Sequence, residues 1–255
     1  MNEKLKYFCY SQNSINTYKS CPMKFKYKYI DKINWKHDDI ESRSYYEGLE
    51  LGRDFHLMCE RYFNNIPIGI YIDADKPDEN KIKFKKWINK VQKLIPIKEG
   101  SIYLPEYEIR YNLDGYNIQA KYDLVIIDDN NIEIWDWKTE SRKIDYKNVE
   151  NRIQTIVYMF LATEVIPRLE NINIDSEKIC MKYYQPEFDN EAISISYSDE
   201  KHILNKNKIL SYIKMTVENN YDNKNKNHCK YCEFNKLCNG TDIDYNILEE
   251  KNYGT

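Results

Sequence analysis

The chain has 255 residues, 31% of them charged and 42% hydrophobic, with a formal net charge of −3. That length allows one large domain or two small ones with a sizeable core, and the charge balance does not mark a polyanion binder. The longest apolar run, Thr155 to Ala162, falls far short of the ~20 residues of a membrane span, and the N-terminus lacks a signal-peptide pattern. A cytoplasmic protein with reduced thiols is therefore expected, and the seven cysteines are not read as disulfides.

In chain order, Asn13 caps a short helix running to Ser20, and Cys21-Pro22 opens another, since proline suits a first helical turn. A helix over 47–64 carries Leu51, Phe55, Met58, Cys59 and Tyr62 on its apolar side. A second amphipathic helix covers 79–95. Strands follow at 103–111, 116–127 and 132–138, with Leu113-Asp114-Gly115 and Asp128 to Asn131 as turns. A largely apolar helix at 148–165 would pack on the sheet, followed by strands at 177–185 and 192–197 and a helix at 199–219. The order predicts an α/β sandwich with a mixed sheet. Within one unit over 1–255, residues 1–45 form an N-terminal helical region, 46–220 the core, 221–240 a cysteine segment and 241–255 a tail.

Two lysine-rich stretches, Lys81 to Lys93 and Lys24 to Tyr29, are of a kind that tracks a nucleic-acid backbone. A solvated helix face is the favoured reading of each.

The stretch Ile132-Glu133-Ile134-Trp135-Asp136-Trp137-Lys138 carries the most chemistry. Strand alternation puts Ile132, Ile134, Asp136 and Lys138 on one face, with the acid and the lysine roughly 7 Å apart at Cα. Asp123 places a second acid inside the apolar strand 116–127. Two acids and a lysine on paired strands are costly to bury. They suit a hard divalent cation and a phosphate. A structural salt bridge explains Asp136 and Lys138 alone about as well.

On the 47–64 helix, Gly52, His56 and Glu60 share a face at four-residue spacing. His56 offers a nitrogen ligand, although a core histidine is the commoner case. Gln154 and Tyr158 share a face of the helix after the Asp136 strand. Cys229-x-x-Cys232 followed by Cys238 has metal-site spacing, with Cys21 the best fourth ligand and His228 its rival. Spacing leaves zinc and an iron–sulfur cluster both open. Cys9, Cys59 and Cys180 read as small core residues.

Taken in order, Ile15 to Pro22, Gly52-x-x-x-His56-x-x-x-Glu60, Asp123, Asp136-x-Lys138-Thr139, Gln154-x-x-x-Tyr158 and the cysteine tail resemble the RecB-like branch of the PD-(D/E)XK nucleases. The similarity spans about residues 11 to 240. It is nearest to the compact CRISPR-associated RecB-like (Cas4-type) exonucleases and to the AddB nuclease domain. Ala120 stands where that family usually has glycine.

The resemblance implies a restriction-endonuclease-like core, a mixed sheet flanked by helices, with N-terminal helices and a C-terminal iron–sulfur region. It implies Mg²⁺ or Mn²⁺ held by His56, Asp123, Asp136 and the Trp137 carbonyl. Lys138 would act on the attacking water, Gln154 and Tyr158 would hold the strand, and Glu60 would lie behind the ligands. A further glutamate is expected, and Glu106 and Glu108 are equal candidates because alternation puts them on one face. Cys21, Cys229, Cys232 and Cys238 would hold a 4Fe-4S cluster. The implied activity is exonucleolytic trimming of single-stranded DNA or DNA ends, in recombination, repair or CRISPR spacer acquisition, in a bacterial, archaeal or phage setting. Alternatives are a non-catalytic DNA-end-binding or scaffold subunit of such a complex, and a zinc-stabilised binding module.

Overall fold

The run Leu124-Val125-Ile126-Ile127 is buried on both faces, as a central strand requires. It belongs to the longest strands of a computed structural model that describes residues 3–34, 40–70, 78–128, 131–188, 191–218, 221–222 and 224–240, leaving aside the side chains of residues 3, 40–46, 228, 230 and 231. The sheet has six strands: β1 (Cys9–Tyr10), β2 (Ile102–Leu113), β3 (Tyr116–Ile127), β4 (Ile132–Trp137), β5 (Ile179–Tyr184) and β6 (Ile193–Ser196). Their order is β1-β3-β4-β5-β6, with β2 paired along β3. β1–β3 and β4–β5 are parallel and the other pairings antiparallel, so the sheet is mixed as expected. The β2–β3 hairpin turns through Asp114 and Gly115 at φ 49° and 90°, the pair of positive angles that suits strand twist.

Helices cover both faces. On one side lie α1 (Gln12–Ser20), α2 (Pro22–Phe25), α5 (Tyr146–Glu150), α6 (Ile153–Leu169) and α7 (Asp199–Glu218). Their shared core includes Ile15, Phe25, Ile118, Ile134, Phe160 and Ile213. On the other side lie α3 (Ile40–Phe63) and α4 (Glu79–Leu94), whose core joins Phe55, Cys59, Phe63 and Trp87 to Leu124, Trp135 and Trp137. A short α8 (Asn235–Asn239) carries Cys238. Among the described residues no helix is long and apolar enough to cross a membrane. The tail after Gly240 lies outside the described residues.

Three expectations shift. The first helix is capped by Ser11, not Asn13: Ser11 and Ser14 exchange side-chain bonds with each other's backbone N–H. The apolar helix expected at 148–165 divides into α5 and α6, with Asp145 capping α5 and Arg152 in extended geometry at ψ 145° between them. Strand β1 was not foreseen, because two residues are too few for alternation to register.

The sequence also gave no sign of a change of face halfway along the β2–β3 hairpin. Ile118, Ala120 and Tyr122 point toward α6, and regular alternation would send Leu124 the same way. Instead Val125 and Ile127 join that layer, while Leu124 and Ile126 face α3 and α4. β2 turns over opposite, with Tyr103 on the α3 side, Leu104 on the α6 side, and Tyr107, Ile109 and Tyr111 also on the α6 side. The ladder pairs Pro105 with Leu124 and Tyr107 with Tyr122, leaving Glu106 and Asp123 facing each other between them. Glu106 takes the left-handed φ of 52°, a conformation non-glycine residues rarely adopt.

The Ser11 cap gives a direct check. Ser11→Ala is expected to destabilise the protein by about 1 kcal/mol, and Asn13→Ala by far less. Urea midpoints of the two variants measure the difference, and the reverse order would return the cap to Asn13.

Candidate active site

The turnover places Asp123 between the two layers. Its Oδ2 accepts the Trp137 N–H at 2.7 Å, which locks β3 to the end of β4. Its Oδ1 lies 3.2 Å from Nδ1 of His56 on α3. His56, Glu106 and Asp123 form a group whose ligand atoms all lie within 4.8 Å of one another. Of the two glutamates, Glu106 lies with His56 and Asp123, whereas Glu108 is exposed and pairs with Arg110 at 2.9 Å. Both flank Tyr107, which faces the α6 side, and Lys121, the cross-strand partner of Glu108, reaches Glu106; what sets Glu106 apart is its left-handed backbone.

Asp136 stands beside this group, not in it. It is 2% exposed. Its Oδ1 accepts a short hydrogen bond from Gln154 Nε2. Its Oδ2 lies 2.6 Å from Lys138 Nζ, yet that oxygen has no partner in hydrogen-bond geometry. The Lys138 ammonium also donates to Gln154 Oε1 at 3.2 Å and lies 5.7 Å from the centre of the Tyr183 ring. Gln154 thus bridges the acid and the lysine from the start of α6. Tyr183 was not singled out in the sequence, although it pairs with Asp136 in register on β5.

Tyr158 is close but turned away. It is 7% exposed, its hydroxyl donates to the Lys121 carbonyl at 2.7 Å, and its ring packs edge-on against Tyr122. Glu60 lines the mouth of the site with His56, Glu106, Lys138, Thr139 and Arg53, around a cavity of about 610 Å³. Gly52 also lines it: a Cβ there would lie 2.9 Å from Thr139 Oγ1, so only glycine lets α3 approach the end of β4 this closely. The loop after Lys138 is pinned by buried Gln185, which accepts from Ile144 N–H at 2.8 Å and donates to the Arg142 carbonyl at 3.0 Å.

The electrostatics follow from burial. Burial pushes the Asp136 carboxyl up to about 6, with Lys138 opposing and Asp123 reinforcing the rise. Burial disfavours charge on His56 and Lys138, but the neighbouring carboxylates outweigh it and raise both. Burial and the charge of Asp136 hold the Tyr158 phenol well above its ordinary range. The carboxylates of Glu106, Asp123 and Asp136 with the His56 imidazole form an oxygen-rich, anionic donor set that fits a hard divalent cation.

At the other end of the chain, Cys21, Cys229, Cys232 and Cys238 all line one cavity of about 150 Å³. No three of their sulfurs converge within 4.8 Å among the described residues, so a cluster itself is not shown. None of the four is in a disulfide, and all are half-buried. Cys59 is a core residue as expected, whereas Cys9 and Cys180 are only half-buried. The side chain of His228, the rival ligand, lies outside the described residues. On α4, Lys83 pairs with Glu187 at 3.7 Å and Lys90 donates to the Pro186 carbonyl at 2.7 Å. Lys81, Lys85, Lys86 and Lys93 stay solvated.

The sheet is flanked by helices and carries Glu106 and Asp123 within the β2–β3 hairpin and Asp136 and Lys138 at the end of the adjacent β4, a set that suits a divalent cation and a phosphate. The profile of the PD-(D/E)XK nuclease superfamily matches residues 10–239, and the chain belongs to that superfamily. Among solved structures it is similar to a protein of Eubacterium rectale provisionally assigned as an exonuclease. The TM-score is 0.54 at 10% identity, covering 95% of this chain and 91% of that one, a likeness of fold. The protein SSO0001 aligns at TM-score 0.32 and 19% identity over 55% of this chain and 62% of its own, too distant to carry an argument. A comparison with curated proteins finds no match.

The raised Asp136 and His56 set a pH dependence. Asp136 titrates higher folded than unfolded, so between about pH 4 and 6 the folded protein holds the extra proton. Stability from this group therefore falls as pH rises through that window. A cation at the site must displace the protons of both groups, so Mn²⁺ should raise the melting temperature more at pH 8 than at pH 5. Thermal unfolding with and without Mn²⁺ at the two pH values measures this. An equal shift at both would place the metal elsewhere.

Proposed function

We propose that the protein is a metal-dependent DNA exonuclease of the RecB-like branch, trimming single-stranded DNA or DNA ends, and carrying a structural 4Fe-4S cluster. The observation that carries the nuclease reading is the convergence of His56, Glu106 and Asp123 beside the Asp136–Lys138–Gln154 bridge. A scaffold role would leave the cost of burying Asp136 and Lys138 together beside His56, Glu106 and Asp123 without purpose. Work in recombination, repair or CRISPR spacer acquisition, in the cytoplasm, is the setting this reading favours.

Mg²⁺ or Mn²⁺ held by His56, Glu106, Asp123 and Asp136, with the Trp137 carbonyl as a further candidate ligand, would lower the pKa of a coordinated water and offset charge on the phosphate. The chain's own groups do the rest. Lys138, held by Asp136 and Gln154, keeps one ammonium face toward the cleft and donates to the attacking water or to a phosphate oxygen. Gln154 fixes the lysine and the carboxylate relative to each other, and so acts by positioning. Tyr158 spends its hydroxyl on the Lys121 carbonyl and steadies β3 beside Asp123. Glu60 lines the mouth behind His56.

Asp136→Ala and Lys138→Ala are each expected to reduce cleavage of labelled single-stranded DNA by at least about 10²-fold, with folding and DNA binding retained. Near wild-type cleavage by either variant would overturn the assignment. Digestion of 5′- and 3′-labelled strands in Mn²⁺ and EDTA tests the exonuclease reading.

Support for a shared metal site comes from the four cysteines lining one cavity with Lys24 and Lys224, where cationic side chains favour an anionic thiolate centre; the choice of 4Fe-4S over zinc rests on the family resemblance. Anaerobically purified protein is expected to be brown, and Cys21→Ala to bleach it. Its stability should fall by less than the ~4–5 kcal/mol of a closed loop this long. The reason is that Tyr10 still bonds Thr216 at 2.9 Å and Tyr18 still bonds the Met215 carbonyl at 2.8 Å. Colourless protein with one zinc per chain would exclude the cluster.

A further inference from the structure

Lys121 lies on β3 two residues before Asp123. Its ammonium sits 2.6 Å from Glu106 Oε2, while its side chain remains 58% exposed. The acids facing it come from three elements: Glu106 on β2, Asp123 on β3 and Glu60 on α3. Its backbone is fixed separately, because Tyr158 on α6 donates to its carbonyl at 2.7 Å. The long stem is therefore free to swing on a rigid base. Glu106 also belongs to the converging group with His56 and Asp123. One carboxylate thus has two claimants, an ammonium already seated on it and a divalent cation that its neighbours invite. An ammonium displaced from Glu106 stays at the edge of a cleft lined by Lys138 and Arg53, where the phosphates of a bound strand are the natural counter-charge.

Resting on the metal-dependent DNA nuclease reading, we infer that Lys121 couples DNA binding to metal loading. Its ammonium holds Glu106 while the site lacks a cation, and passes to a backbone phosphate when a divalent cation takes that carboxylate. Each ligand then raises the affinity of the other through the same side chain. Lys121 is thus a positioning residue for the substrate and a competitor for the metal, and it stays protonated throughout.

The test uses the full chain, with Lys121→Met to keep the stem without the charge and Lys121→Arg to keep the charge. Mn²⁺ alone is titrated first, without DNA. Lys121→Met should bind Mn²⁺ about two- to five-fold tighter than wild type, the range expected of a half-exposed ion pair, and Lys121→Arg should match wild type. Binding of a phosphorothioate oligonucleotide in Ca²⁺ is measured next over a range of salt. Lys121→Met should bind more weakly, with a salt slope smaller by about one phosphate contact. Unchanged or weaker Mn²⁺ binding by Lys121→Met, or an unchanged salt slope, would overturn the inference. His56→Ala keeps it separate from the nuclease reading. If His56→Ala binds Mn²⁺ as wild type does, the metal site itself is wrong and both fall. If His56→Ala loses Mn²⁺ while Lys121→Met behaves as wild type, only the coupling falls.

Discussion

A regular sheet keeps its two faces apart, and this site needs groups from both. His56 comes from α3 on one side and Gln154 from α6 on the other, and side chains on opposite faces of a strand diverge. The turnover at Glu106 and Asp123 removes that constraint. Because both strands of the hairpin change face at opposite positions, the register is kept and the hydrophobic residues on either side still reach a core. At the crossing, one acid reaches His56 and the other comes within reach of the same point. The cost falls on Glu106, held at φ 52°, and the strand twist and the two cores on either side over-determine it.

The second constraint is charge. Asp136 is almost fully buried, and burial pushes it toward neutrality. Lys138 and Gln154 hold the two oxygens in different ways, so the bridge fixes the carboxylate without satisfying it. Removing one partner of such a buried pair is costlier than the pair is worth. That asymmetry explains why the acid and the lysine are tied to a neutral amide and not to a second cation, which would cancel the field the site presents to a metal.

Most of the fold was legible because its signals are local and periodic. The helices around Phe55 and Trp87, the hairpin turn at Asp114-Gly115 and the strand over 179–184 all follow from apolar spacing and turn chemistry. Of the residue types singled out, His56 and Asp123 come together with Glu106, while Asp136, Lys138 and Gln154 form a neighbouring bridge. What escaped was whatever depends on two distant segments at once. Alternation could not separate Glu106 from Glu108, since what singles out Glu106 is its left-handed backbone and its approach to His56 and Asp123. The cap at Ser11 was missed because Asn13 satisfies the same local rule two residues on. Nothing near Gln185 or Tyr183 marks them, because their partners at 142–144 and 138 arrive through the sheet.

The cysteines lie where the two ends of the chain already meet. Asn225 donates to the Ser20 carbonyl at 3.0 Å, Lys24 pairs with Glu233 at 2.6 Å, and Tyr221 stacks on Phe25 with ring centres 6.0 Å apart. A bound cluster would therefore tighten a junction that aromatic packing has assembled, and the loop-closure entropy is largely met before any thiolate is engaged. The acids lie across the sheet between α3 and α6, and none of the residues lining the cysteine cavity lines the Lys138 cleft. The two regions thus differ in kind: one gathers charge at a break in a strand, and the other joins residues 20–25 to residues 221–233.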